Sequence, residues 1–167
     1  MTDLLLAIAP ERPEDETAIE RLTERAFGPG RFARSAYCLR EGAAHVLALS
    51  FIARVGSLLV GSNRMTPVAC GQGFALLLGP LTVEPAFRSR GIGRALVEAS
   101  LAAAQQAGHG LALLVGDEPY YGRLGFRRVP YGCLTMPGPV DPARLLVCEL
   151  QAGALTGVSG AIAALRE

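Results

Sequence analysis

Between Val83 and Ala95 the chain reads Glu-Pro-Ala-Phe-Arg-Ser-Arg-Gly-Ile-Gly-Arg, which sets Arg88, Arg90 and Arg94 around Gly91 and Gly93. An apolar run precedes this stretch and a helical pattern follows it. A helix start presents unpaired backbone N–H groups and a partial positive charge, a combination that suits a phosphate. Glycine lets an anion approach the backbone closely, and guanidinium groups add charge around the same spot. The local chemistry is that of a site for a diphosphate-sized anion. Two familiar phosphate motifs fail on spacing. A dinucleotide fingerprint needs a third glycine directly off the strand, but Leu96 holds that position and seven residues separate Val83 from Gly91. A P-loop needs a lysine, and every basic residue of this chain is arginine.

The elements that would position this loop follow from periodicity. Residues 74–83, Phe-Ala-Leu-Leu-Leu-Gly-Pro-Leu-Thr-Val, form a near-continuous apolar run, as in a strand buried on both faces. From Gly91 to Ala107 the pattern is helical: Ile92, Leu96, Ala99 and Ala103 make one stripe, Arg94 and Glu98 pair at i,i+4, and Gly108 stops the helix. A second buried strand follows at 110–116. Strand, helix and strand make a β-α-β unit with parallel strands.

Elsewhere, residues 4–9 read as a first strand and 12–28 as a helix with acidic residues at its start and Ile19, Leu22 and Ala26 at helical spacing. Residues 33–41 read as a second, short helix. Residues 44–54 and 56–68 read as strands about a turn at Val55-Gly56, with further strands near 126–130 and 143–150. A Gly/Pro loop occupies 130–142, and the small, apolar tail 151–167 carries no assignable pattern. With no repeat and no linker, the expectation is one α/β domain spanning 1–167.

Composition narrows the function classes. A formal charge of +1 over 167 residues gives no footprint for non-specific nucleic-acid binding. Four scattered cysteines without C-x-x-C spacing and only two histidines argue against a metal site. No basic leader precedes the first apolar residues, and no apolar run approaches the ~18 residues of a membrane span. A cytoplasmic protein is expected, with no nucleic acid and no membrane among its partners.

The motif Arg88-Ser89-Arg90-Gly91-Ile92-Gly93 fits R-x-x-G-x-G. Together with Leu-Gly-Pro-Leu-Thr-Val-Glu-Pro before it and Tyr120-Tyr121-Gly-Arg-Leu-Gly125-Phe126 after it, it resembles the GNAT N-acetyltransferase superfamily. The bacterial subgroup with the pattern LGPLxV…GxG…GDPxYYxRFGF is most similar, over about residues 74–127. The resemblance implies a mixed central sheet of about seven strands flanked by about four helices, with the β-α-β unit as its acetyl-CoA-binding core. It implies that Arg88, Ser89, Arg90, Gly91, Ile92, Gly93 and Arg94 hold the pyrophosphate of acetyl-CoA. Leu81, Thr82 and Val83 would then lie beside the pantetheine arm, where a backbone N–H polarises the thioester carbonyl.

Tyr121 falls on the position of the usual general acid. A phenol with a pKa of ~10 stays protonated at neutral pH and can protonate a departing thiolate; packing with a buried O–H bond is the structural alternative. Tyr120 reads as packing. The chain departs from the family in having no Asn before that tyrosine: the segment is Gly116-Asp117-Glu118-Pro119, where Asp117 reads as a turn cap or as a site residue. Glu84 is the nearest carboxylate in sequence and is the candidate base, against a role in closing the turn before Pro85. His45 reads as a strand-edge residue and His109 as a partner of the helix C-terminus. Ser62, Asn63 and Arg64 are candidates to face the acceptor. The segment 28–41, with Arg31, Arg34, Tyr37 and Arg40, and the loop 130–142 are where this fold shapes substrate selection, with a solvated charged face as the plain alternative.

The resemblance therefore implies direct acetyl transfer to a primary amine of a small molecule or peptide, without a metal. A CoA-binding sensor lacking chemistry and a nucleotide-binding regulator are the competing readings. The apolar tail is a candidate homodimer contact.

Overall fold

The computed structural model describes residues 5–27 and 35–165. In chain order these form β1 (Leu6–Pro10), α1 (Glu16–Phe27), α2 (Ser35–Arg40), β2 (Phe51–Val55), β3 (Leu58–Cys70), β4 (Gly73–Val83), α3 (Ile92–Gln106), β5 (Leu111–Val115), α4 (Glu118–Tyr121), β6 (Arg127–Arg128), β7 (Leu134–Thr135), β8 (Leu145–Glu149) and β9 (Gly160–Ala164). The sheet runs β1-β2-β3-β4-β5-β8-β6, with β9 paired to β3 and to β7. Strands β1 to β4 pair antiparallel in succession, while α3 carries the chain over to β5, which lies parallel to β4. This is the expected β-α-β unit.

The apolar runs of β4 and β5 are continuous because both faces of these strands are covered. Leu76, Leu78, Ala112 and Leu114 pack with Val97 and Ala104 of α3. Leu77, Leu111 and Leu113 face the opposite core with Leu39, Val68 and Ile162. The buried stripe of α3 is Ile92, Leu96, Val97, Ser100 and Ala104, rotated from the stripe expected through Ala99 and Ala103. Ser100 belongs to it because its hydroxyl accepts a 3.0 Å hydrogen bond from the buried Asn63 amide on β3. Gly61 lets α3 sit close to the sheet: a Cβ there would stand 2.9 Å from Leu96 Cδ1 and 3.1 Å from Ile92 Cγ2.

Three expectations need correction. The strand expected over 44–54 starts only at Phe51, because Leu47–Leu49 form a 3-10 turn. The Ser50 hydroxyl stabilises that turn, donating to Val46 O at 2.8 Å and accepting from Met65 N at 3.1 Å. The strand near 126–130 shrinks to Arg127–Arg128. The tail without an assignable pattern supplies β9, and the loop 130–142 supplies β7, so among the described residues the mixed sheet counts nine strands, the two-residue β6 and β7 included. In the tail, Ile162 is a core residue.

The docking of β9 depends on Gly71. Its N–H donates to Ala161 O at 3.0 Å, its φ is +60°, and a Cβ there would fall on the carbonyl of Ser159. Gly71→Ala is therefore expected to push β9 off the end of β3 and to cost about 1–3 kcal/mol of stability. Chemical denaturation would measure this; an unchanged midpoint would contradict the account of β9.

Candidate active site

Strands β4 and β5 are paired only at Leu76↔Ala112 and Leu77↔Leu113. Past those positions they part. On the other side of β4 the register with β3 steps from Met65↔Leu78 to Asn63↔Leu81, so Gly79 and Pro80 stand together opposite Arg64. This is a β-bulge, which bends its strand and locally increases its twist. The edge of β4 from Leu78 to Val83 thus faces β5 without a strand partner among the described residues.

Three connected cavities surround this split. The central one lies between Leu78–Leu81 of β4 and Leu114–Asp117 at the end of β5, and includes Arg40, Tyr121 and Arg144. From Leu81 a groove continues along Thr82 and Val83 to Arg88, Ser89, Gly91–Arg94 and Tyr120. On the other side of the bulge a third cavity is lined by Tyr37, Arg40, His45, Arg64, Gly79 and Pro80, among others. Phe27, at the end of α1, lines all three.

The anion loop has the backbone form its sequence implies. Ser89 and Gly91 are left-handed, with φ of 63° and 79°. Among the described residues, none of the N–H groups from Ser89 to Arg94 has a backbone acceptor. They open a 15-residue helix, the backbone arrangement that suits an anion. The three arginines are not equivalent. Arg88 lines the groove, and Arg94 lines it while bonding Glu98 at 2.8 Å. Arg90 does not line it; its guanidinium lies 5.2 Å from the Phe87 ring centroid.

Tyr121 faces the central cavity. Its ring meets Tyr120 edge-on at 4.8 Å and Phe126 at 6.0 Å. The absence of a side chain at Gly116 gives it room, since a Cβ there would stand 2.5 Å from Tyr121 Cε2. Burial pushes its phenol up to about 12, with Tyr120 and Asp117 adding to the rise and Arg144 and Arg40 opposing it. The phenol therefore keeps its proton at neutral pH. Tyr120 is not simply a packing residue: it is half-exposed, lines the groove, and its hydroxyl lies 2.8 Å from where a Gly93 Cβ would be. The carbonyl of Asp117, rather than its side chain, organises the turn by accepting from Tyr120 N and Tyr121 N, both at 3.1 Å. Its carboxylate pairs with Arg144 at 3.3 Å.

The remaining candidates separate. Leu81, Thr82 and Val83 line the groove; the Thr82 hydroxyl is buried without a hydrogen-bond partner among the described residues. Glu84 lines none of the three cavities and pairs with Arg25 of α1 at 2.8 Å. Ser62 and Asn63 are buried within the sheet at 1% and 0% exposure, which removes them as acceptor-facing residues. Arg64, Tyr37 and Arg40 do line a cavity, while Arg31 and Arg34 lie outside the described residues. Of the loop 130–142, Pro139, Val140 and Asp141 reach the central cavity. His109 meets the helix end through its backbone, its N–H donating to Ala104 O at 3.0 Å.

His45 is not a plain strand-edge residue. Its Nε2 lies 2.9 Å from Oε1 of Glu11, which is 4% exposed and also accepts from Arg64 Nη2 at 2.9 Å. Burial by itself would raise the Glu11 carboxyl; hydrogen bonds from His45 and Arg64 outweigh it and hold the group below its ordinary value. Glu11 escaped the sequence reading because it merges with the acidic run that opens α1, and nothing local marks it as buried.

A family model described as acetyltransferase (GNAT) domain matches residues 47–128, the segment that holds the split, the anion loop and Tyr121. This segment is a GNAT acetyltransferase domain. Similarity to known acetyltransferases extends beyond the matched segment. The uncharacterized N-acetyltransferase YhbS of Escherichia coli strain K12 is 29% identical over 160 residues, 94% of this chain and 95% of that protein. The crystal structure of Escherichia coli YhbS in complex with CoA superposes with a TM-score of 0.84 at 26% identity, covering 99% of this chain and 92% of that one. A GNAT acetyltransferase from Brucella melitensis, in complex with acetyl-CoA, gives a TM-score of 0.61 at 29% identity, over 86% of this chain and 95% of that one. Within this chain no group of metal-ligating side chains occurs among the described residues, and no described helix is long and apolar enough to cross a membrane.

Gly91 isolates the conformational requirement of the anion loop, since a Cβ there meets nothing within 4 Å while φ is +79°. Gly91→Ala is expected to lower stability by about 1–2 kcal/mol, the cost of a left-handed residue with a Cβ. Urea denaturation would read it, and no loss would show that the loop adopts another form.

Proposed function

We propose that this protein transfers the acetyl group of acetyl-CoA directly to a primary amine of a small molecule or peptide, with both reactants held together at the split. One observation carries the reading: the groove that begins at the anion loop runs along the unpaired edge of β4 and opens at Leu81 into the cavity that holds Tyr121. A nucleotide diphosphate at one end and a thioester at the other match that layout. The pyrophosphate would sit on the N–H groups of Ser89 to Arg94, with charge from Arg88 and Arg94. The pantetheine arm would add to β4 as an extended strand beside Leu81, Thr82 and Val83. That two related proteins were solved in complex with CoA and with acetyl-CoA supports the choice of donor.

In this reading the amine nitrogen attacks the thioester carbon, the C–N bond forms and the C–S bond breaks. Tyr121 gives its proton to the departing thiolate and recovers one from the nitrogen. Backbone N–H groups along the freed β4 edge stabilise the carbonyl oxygen as it gains charge. Holding both reactants in one cleft supplies much of the acceleration. Glu84 serves as a clamp between α1 and the start of the anion loop, because its carboxylate is committed to Arg25.

Isothermal titration tests the donor. Micromolar binding of acetyl-CoA and CoA, weak or no binding of ATP and NAD, and loss of binding in a Gly91→Glu/Gly93→Glu variant are expected. Equal binding of ATP would favour a nucleotide regulator instead. Tyr121→Phe tests the chemistry: kcat should fall about 10²–10⁴-fold with acetyl-CoA affinity unchanged. A protein that binds CoA and turns over no amine would be a sensor.

A further inference from the structure

The incoming amine presents a requirement that Tyr121 does not meet. A primary amine with a pKa of ~10.4 arrives as an ammonium ion and must lose a proton before its lone pair can attack. The acidic and phenolic groups near the split are poor acceptors for it. Tyr121 holds its own proton, and Glu84 is off the cavities in its ion pair. The Asp117 side chain is 75% exposed and paired with Arg144. Glu20 and Glu41, which line the third cavity, are solvent-exposed carboxylates with no buried partner among the described residues to orient them.

The same cavity contains an imidazole held from behind. His45 has a side chain 22% exposed, lines the cavity beside Gly79 and Pro80 of the bulge, and contacts Glu11 through Nε2. The Glu11 carboxylate is fixed in turn by Arg64, which donates from Nε at 3.3 Å and Nη2 at 2.9 Å. An ionised carboxylate only accepts hydrogen bonds, so Nε2 must carry the ring proton. Nδ1 then keeps its lone pair, and it has no partner among the described residues. A carboxylate behind one ring nitrogen fixes the tautomer and steadies the cation that forms when the other nitrogen takes a proton.

We propose that His45 is the catalytic proton acceptor for the amine, with Glu11 as its positioning residue. This rests on the acetyl-transfer reading above. His45 Nδ1 takes one proton from the ammonium, directly or through one water, leaving a neutral amine and an imidazolium. The amine then attacks, and the imidazolium releases its proton to solvent. The overall change is ammonium plus thioester to amide, thiol and one proton.

The chain has only two histidines, so a ¹⁵N spectrum of the acetyl-CoA-loaded protein, assigned with His109→Gln, reads the tautomer of His45 directly. A neutral ring with its proton on Nε2 is expected, and Glu11→Gln should spread that proton over both nitrogens. A proton held on Nδ1 would overturn the proposal, whichever amines are substrates. Thiol release is measured in parallel with spermidine, tyramine and an alanyl peptide as acceptors. His45→Ala should lower kcat about 10²–10³-fold, recover in part with added imidazole, and keep its affinity for acetyl-CoA. Wild-type turnover in His45→Ala would also overturn it. Failure of the wild-type protein to bind acetyl-CoA would remove the donor assignment and this proposal together, whereas binding with the wrong tautomer would remove only His45.

Discussion

Everything at this site depends on β4 parting from β5 after two paired positions. A parallel pair that stayed in register would satisfy both edges and leave no opening. Here the bulge at Gly79-Pro80 re-aims β4 while Leu76 and Leu77 stay locked to β5. The open backbone edge then joins three surfaces that are distant in sequence: the loop before α3, the turn that carries Tyr121, and the wall made by α1 and α2. The cores on the two faces hold the unsplit part rigid, so the opening is confined to the C-terminal half of β4.

Buried carboxylates hold the α1 side of the cleft in place. Asp15, 1% exposed, closes the start of α1 onto β2 through Arg54 and accepts from Arg12 N at 2.9 Å. Burial would raise its carboxyl, but those hydrogen bonds outweigh it and keep the group below its ordinary value. Glu11 does the same toward β3 through Arg64. Both groups favour the folded chain when ionised, and this contribution fades as pH falls below the carboxylate range. The two cation–carboxylate pairs bring the ends of β1 and α1 to the wall that His45 shares.

The proposed anion recognition follows a different logic. The loop relies on backbone N–H groups and on positive φ at Ser89 and Gly91 more than on three mobile charges. Arg90 lies against Phe87, and Arg94 is shared with Glu98. Backbone donors are fixed by the turn and lose little entropy on binding, whereas each long arginine side chain must be ordered. The concentration of arginines made the loop visible in the sequence, yet only some of them point into the groove.

The sequence by itself determined the elements whose signal is local. The apolar runs of β4 and β5, the periodicity of α3 and the glycine spacing at its start are each read within one or two turns of chain, as is the Tyr121-x-x-x-Gly-Phe motif. Tertiary structure decided what depends on partners far along the chain. The tail became β9 because the bare backbone at Gly71 receives it. Ser62 and Asn63 turned into the core because their strand is covered on both faces, and Glu84 was claimed by Arg25 across 59 residues. Glu11 and His45, 34 residues apart, met because Glu11, just after β1, is held by Arg64 of β3 while the segment before β2 bonds Met65 of the same strand. Pairing, burial and the protonation that follows from them are properties of neighbours in space, and periodicity along the chain carries no record of those neighbours.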